Sequence, residues 1–133
     1  MSNRETLLAL AERCEAGQAA DETALIVEAI GVVGDVERAE LLAAGRVDDW
    51  HRRAFVLAAA IRWARDGAFL DAAASLLPDG AAYSVHYKPE LGHSASITLA
   101  RSCGIGLAAT EPLARTAAAL RAQAAMMEDN ADA

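Results

Sequence analysis

Residues 83–99, YSVHYKPELGHSASITL, decide the fold. Tyr83, Val85 and Tyr87 alternate with Ser84, His86 and Lys88, the two-residue period of a half-buried strand. Pro89, Glu90, Leu91 and Gly92 supply a turn, after which Ala95, Ile97 and Leu99 alternate with Ser96 and Thr98. The two runs are expected to pair as an antiparallel hairpin with one apolar and one polar face. Beyond Gly104, residues 105–109 offer a short third strand. Thr110 then caps a closing helix with Pro112 in its first turn, and Leu113, Ala117, Leu120, Ala124 and Met127 face inward. From Glu128 to Ala133 the chain reads as a frayed acidic tail.

Upstream the period is 3.6. Ser2 and Glu5 have capping-box spacing, and Leu7, Leu10, Ala11 and Cys14 make one apolar face of a first helix that stops at Gly17. A second helix is expected from Asp21 to a C-terminal glycine at Gly31, and a short third from Asp35 to Gly45. A longer helix spans about Val47 to Asp66, with Trp50, Ala54, Leu57, Ile61 and Ala64 on one stripe and Phe55, Val56 and Trp63 off it. Gly67 separates it from a helix over Phe69 to Leu77, stopped by Pro78, Asp79 and Gly80. Helices followed by a small antiparallel meander of two to three strands and one last helix make an α+β fold, with no strand–helix alternation of the parallel kind.

The 133 residues amount to one domain, residues 1–133, able to bury a core without metals or disulfides. Alanine carries most of the 54% hydrophobic content and aromatics are only 5%, so the core is expected to be built from small residues and close backbone approaches. A net charge of −7 disfavours binding to phosphate backbones. The basic residues His51, Arg52, Arg53, Arg62 and Arg65 are interleaved with Asp48, Asp49 and Asp66. No secretory signal or membrane span is read, and two unpaired cysteines suit a reducing cytoplasm.

Each constellation that can carry chemistry falls short in the sequence. Residues 104–109, GIGLAA, match a dinucleotide-binding pattern, but the following helix starts too late and no second parallel strand fits. His86 and His93 flank the turn, yet two histidines do not close a metal site. Cys103 with His86 or His93 offers a nucleophile–base pair without an orienting third group. Cys14 reads as core, and Asp48 and Asp49 diverge on a helix. The expectation is therefore no catalytic residues, no cofactor and no metal. Two contact surfaces stand out: the polar hairpin face of Ser84, His86, Lys88, Ser96 and Thr98, and the aromatic set Trp50, Phe55 and Trp63, which also suits a homodimer.

Three blocks of the chain resemble the phage ABA sandwich domain family of small phage and prophage proteins. They are LLALAERCEAG (residues 7–17) with ALIVEAIG (24–31), FLDAAASLLPDGAAYSVHY (69–87), and TEPLARTAAALRAQA (110–124). Residues 32–68 depart from that pattern by reading as helical, and Ala81 stands where the family commonly has a tryptophan. The resemblance implies a phage or prophage gene and an antiparallel sheet flanked by helices. It implies no catalytic residues. The resulting expectation is a non-catalytic protein that binds a host or phage protein, an anti-defence inhibitor being one form. The alternatives are a small-molecule or nucleotide-sequestering protein and, third, a Cys/His-dependent enzyme.

Overall fold

The computed structural model describes residues 2–99 and 102–131. Among the described residues, five α-helices and three strands run in the order α1 (Asn3–Ala16), α2 (Glu22–Ala43), α3 (Val47–Arg65), α4 (Phe69–Ala74), β1 (Ala82–Lys88), β2 (Gly92–Thr98), β3 (Cys103–Ala108) and α5 (Glu111–Ala131), with one 3-10 turn at Ala19–Asp21 between α1 and α2. The protein is α+β, as the change of period implies.

Local chemistry sets the element ends. The Ser2 hydroxyl accepts from the Glu5 amide at 3.1 Å while the Glu5 carboxylate accepts from the Ser2 amide at 3.2 Å, closing the capping box. At the other end of the chain the Leu113 amide donates to the Thr110 hydroxyl at 3.3 Å. α2 departs from expectation, because it runs through Gly31 and Gly34 as one 22-residue helix. A C-terminal glycine acts by taking positive φ, and here Gly45 and Gly67 do so while Gly31 does not. Gly34 has a packing role instead, since a Cβ there would sit 3.3 Å from the Leu57 side chain of α3. α4 is shorter than expected, ending at Ala74, with turns carrying the chain to Pro78. α5 stays helical through Ala131, where a frayed tail from Glu128 was expected; Asp132 and Ala133 lie outside the described residues.

The sheet has order β1-β2-β3, all antiparallel. Tyr83 pairs with Ile97 and Val85 with Ala95; on the next ladder Ala95 pairs with Gly106 and Ile97 with Gly104. These residues share the inner face, against which α5 packs across β3 and β2. α1 packs along α5 and also meets β3, α2 lies against α1 and α3, and α3 and α4 complete the helical layer. The described helices pack on the inner side of the sheet, and the outward residues of β3 are exposed.

The core follows from alanine. Ala114, Ala117, Ala118, Ala119 and Ala122 of α5 are buried alongside Leu113 and Leu120. Such a thin helix surface lets α5 approach both the sheet and α1 closely. The closest approach is at β3, where a Cβ on Gly104 would overlap the Ala118 carbonyl and one on Gly106 the Ala114 carbonyl. The two glycines of the GIGLAA stretch are therefore a helix-on-strand contact and not a phosphate cradle.

Candidate functional site

The outer side of α3 is the first candidate. On a helix, Phe55, Val56, Ala59 and Trp63 fall within about 100° of one another, with Arg52 and Arg62 in or beside the same arc. Phe55 is 76% exposed, and Val56 and Trp63 are also exposed. The apolar stripe on the other side of the helix takes Leu57, Ala60 and Ala64 into the core. Trp50 belongs with that inner side: it is half-buried and packs against the core. The structure thus keeps Phe55 and Trp63 together and removes Trp50 from the expected aromatic set.

A polar junction fixes α3 against its neighbours. Arg53 donates to the Glu37 carboxylate of α2 at 2.5 and 3.2 Å and to the Ser75 carbonyl at 2.7 Å. The Gln123 amide of α5 lies 3.5 Å from the same carboxylate. This junction floors a cavity of about 610 Å³, whose walls include Arg46, Asp49, Arg52 and Glu40. Asp49 is held below the usual carboxylate range by its hydrogen bond from Arg46, assisted by Arg52. Burial pushes the Glu40 carboxyl up, with the nearby Glu37 charge adding to the shift. The three arginines lining the cavity are each engaged by a carboxylate, at Asp49 or Glu37. Its charge is mixed, which gives no preference for an anion.

The outer sheet face is the second candidate. Ser84, His86, Lys88, Ser96 and Thr98 share it, as the alternation implies. β3 adds a third row to this face, Cys103, Ile105 and Leu107, which the hairpin's own alternation does not include, and Ile105 is 60% exposed. The signal was present: once Gly104 and Gly106 face the helix, their neighbours must face outward.

The register separates the pairs considered for chemistry. His93 pairs with Tyr87, whose ring centroid is 4.7 Å from its own, and both lie on the inner side. His86 pairs with Ser94 and points to the outer side, so the two histidines are on opposite faces. Cys103 is on the outer face opposite Thr98, which in turn pairs with Ala82, four residues along β1 from His86. At about 3.3 Å per residue that offset is about 13 Å, beyond hydrogen-bond reach. No group of three His, Cys, Asp or Glu side chains among the described residues is placed to hold a metal ion. None of the described helices is long and apolar enough to cross a membrane.

No protein-family model, curated protein or solved structure matches this chain.

Proposed function

We propose that this chain is a non-catalytic interaction protein that binds a host or phage protein through the outer side of α3. The observation that supports it most is Phe55, a large apolar side chain left 76% exposed beside Val56 and Trp63. Aromatic side chains rimmed by arginine are the usual anchors of protein contacts, and an apolar cluster in water is a cost that a partner removes. Arg52 is paired with Asp49, so the polar rim around the cluster is of mixed charge and the exposed apolar side chains carry the reading. The resemblance to phage ABA sandwich proteins supports a phage or prophage origin, and an anti-defence inhibitor is the concrete form of the reading.

The test is capture from nuclease-treated host lysate by tagged protein, with a Phe55→Asp/Trp63→Asp variant in parallel. A stoichiometric protein retained by the parent and lost from the variant is the expected result. Equal capture by both, or by neither, overturns the assignment to α3.

A second reading, binding of a small polar molecule, has one observation in its favour, the cavity of about 610 Å³ beside Arg53. A metabolite thermal-shift screen decides it: a shift abolished by Arg52→Ala supports the reading, and a flat screen removes it.

A further inference from the structure

The two edges of the sheet are treated differently. On the β3 edge the Leu107 amide donates to the Glu15 carboxylate at 2.9 Å, and Arg121 donates to the Ile105 carbonyl at 2.8 Å. Glu15 and Arg121 also pair with each other at 2.5 and 2.6 Å, so α1 and α5 together close that edge. The described side-chain hydrogen bonds do not reach the outer edge of β1. All of β1 is exposed except Val85, which is half-buried.

The direction of the β1 backbone groups follows from the ladders. Residues of an antiparallel strand turn N–H and C=O alternately to one side and the other. Ile105 and Leu107 point theirs away from β2, so Gly104 and Gly106 point toward it, bonding to Ile97 and Ala95. Ser94 and Ser96 then bond to His86 and Ser84, which leaves Tyr83, Val85 and Tyr87 with their N–H and C=O groups at the open edge. The side chains of these three lie on the inner face, yet Tyr83 is 50% and Tyr87 62% exposed. α5 covers β2 and β3 and leaves β1 projecting past it.

We infer that the β1 edge joins a second copy of this chain, forming a two-fold dimer with one continuous six-stranded antiparallel sheet. The occupant is named by the strand's own symmetry. With Val85 on the two-fold axis, Tyr83 of one copy faces Tyr87 of the other, and the reverse pair forms as well. The three outward-bonding residues then meet the same three, for about six hydrogen bonds. Ser84 meets His86 and Ala82 meets Lys88, so no like charges oppose. The aromatic pairs extend an existing row: Arg115 sits 4.8 Å over the Tyr83 ring and His93 packs on Tyr87. Cross-strand aromatic pairs of this kind are favourable units of sheet assembly. This surface is separate from the outer side of α3, so the dimer stands or falls independently of the proposed function.

The experiment is light scattering behind size exclusion over a dilution series, on the parent chain, Val85→Pro and Tyr87→Lys. The Val85 amide faces the open edge, so proline there removes an interchain donor and leaves the β1–β2 ladder its bonds. Twice the chain mass for the parent, and a single mass with native circular dichroism for both variants, is the expected result. Tyr87→Lys replaces an exposed side chain and decides the matter if the proline variant does not fold. A Ser84→Cys/His86→Cys variant on a Cys103→Ser background adds a covalent readout, because these residues would meet at a closely spaced pair that a disulfide can span. A parent of single mass at every concentration, a dimer indifferent to both substitutions, or no interchain disulfide on oxidation overturns the inference.

Discussion

Gly104 and Gly106 each stand where a single methyl group has no room. A Cβ on Gly106 would overlap the Ala114 carbonyl and press on the Ala118 amide, both backbone atoms of α5 that cannot rotate away. Gly106→Ala is therefore expected to lower stability by about 1–3 kcal/mol or more, the range for overpacking a closed site. Ile105→Ala on the open outer face is expected to change it by less than about 0.5 kcal/mol. Chemical denaturation of the pair checks this, and equal effects would mean that α5 is not seated as described. The sequence alone made these glycines visible as a motif without saying what they approached, because the partner lies on a later helix. Glu22 poses the opposite case. It is buried, one carboxylate oxygen has no hydrogen-bond partner among the described residues, and burial raises its carboxyl despite a hydrogen bond from Thr110. The folded chain thus holds this proton more tightly than the unfolded chain. Its stabilising share is complete at acid pH and lost as pH rises through the raised value. Glu22→Gln is expected to raise the melting temperature at pH 7 and to leave it unchanged at pH 3. A fall at pH 7 would mean that the carboxylate has a partner of its own.

At the scale of elements, the closing of β3 depends on two helices remote in sequence. Glu15 is held below the usual carboxylate range, first by its hydrogen bond with Arg121 and then by the Leu107 amide, against the opposing effect of burial. A lowered value means stability that is present above the ordinary carboxyl range and is lost as pH falls through the lowered one. Glu15→Gln is expected to cost about 1–2 kcal/mol at pH 7, a figure discounted from a fully buried charge-assisted pair because both side chains are about a quarter exposed. The cost should shrink as the solution is acidified. A pH-independent difference would assign the loss to packing. None of this pairing was legible in the sequence, where Glu15 and Arg121 are two charged residues among many. Local chemistry carried the legible part: the capping box, the Thr110 cap, the hairpin's alternation and the positive-φ stop at Gly67. The fused α2 was missed because a glycine is compatible with both a helix interior and a helix end, and tertiary packing chooses between them. At Gly34 the close approach of α3 leaves little room for a side chain, since a Cβ there would sit 3.3 Å from Leu57.

For the whole molecule, composition foretold the core better than any motif did. A chain poor in aromatics and rich in alanine must bury thin helices at close range, and α5 does so against both the sheet and α1. The candidate surfaces were legible in part. Alternation placed the polar hairpin face correctly, while the open β1 edge depends on strand order, which a single sequence does not encode locally. The two cysteines report whether these layers open together. Cys103 is exposed on the outer face, whereas Cys14 is fully buried in α1, and burial pushes its thiol up to about 12. The thiolate is the reacting species, so Cys14 is shielded both by access and by protonation. A chromogenic disulfide reagent is expected to find one fast thiol in native buffer and two in denaturant. The slow second equivalent should appear at the rate of global unfolding, and should slow in any variant that stabilises α5 on the sheet. Two fast equivalents in native buffer would show that α1 detaches by itself. In that case the Glu15 clamp on β3 would open with it, exposing a second sheet edge in the folded protein.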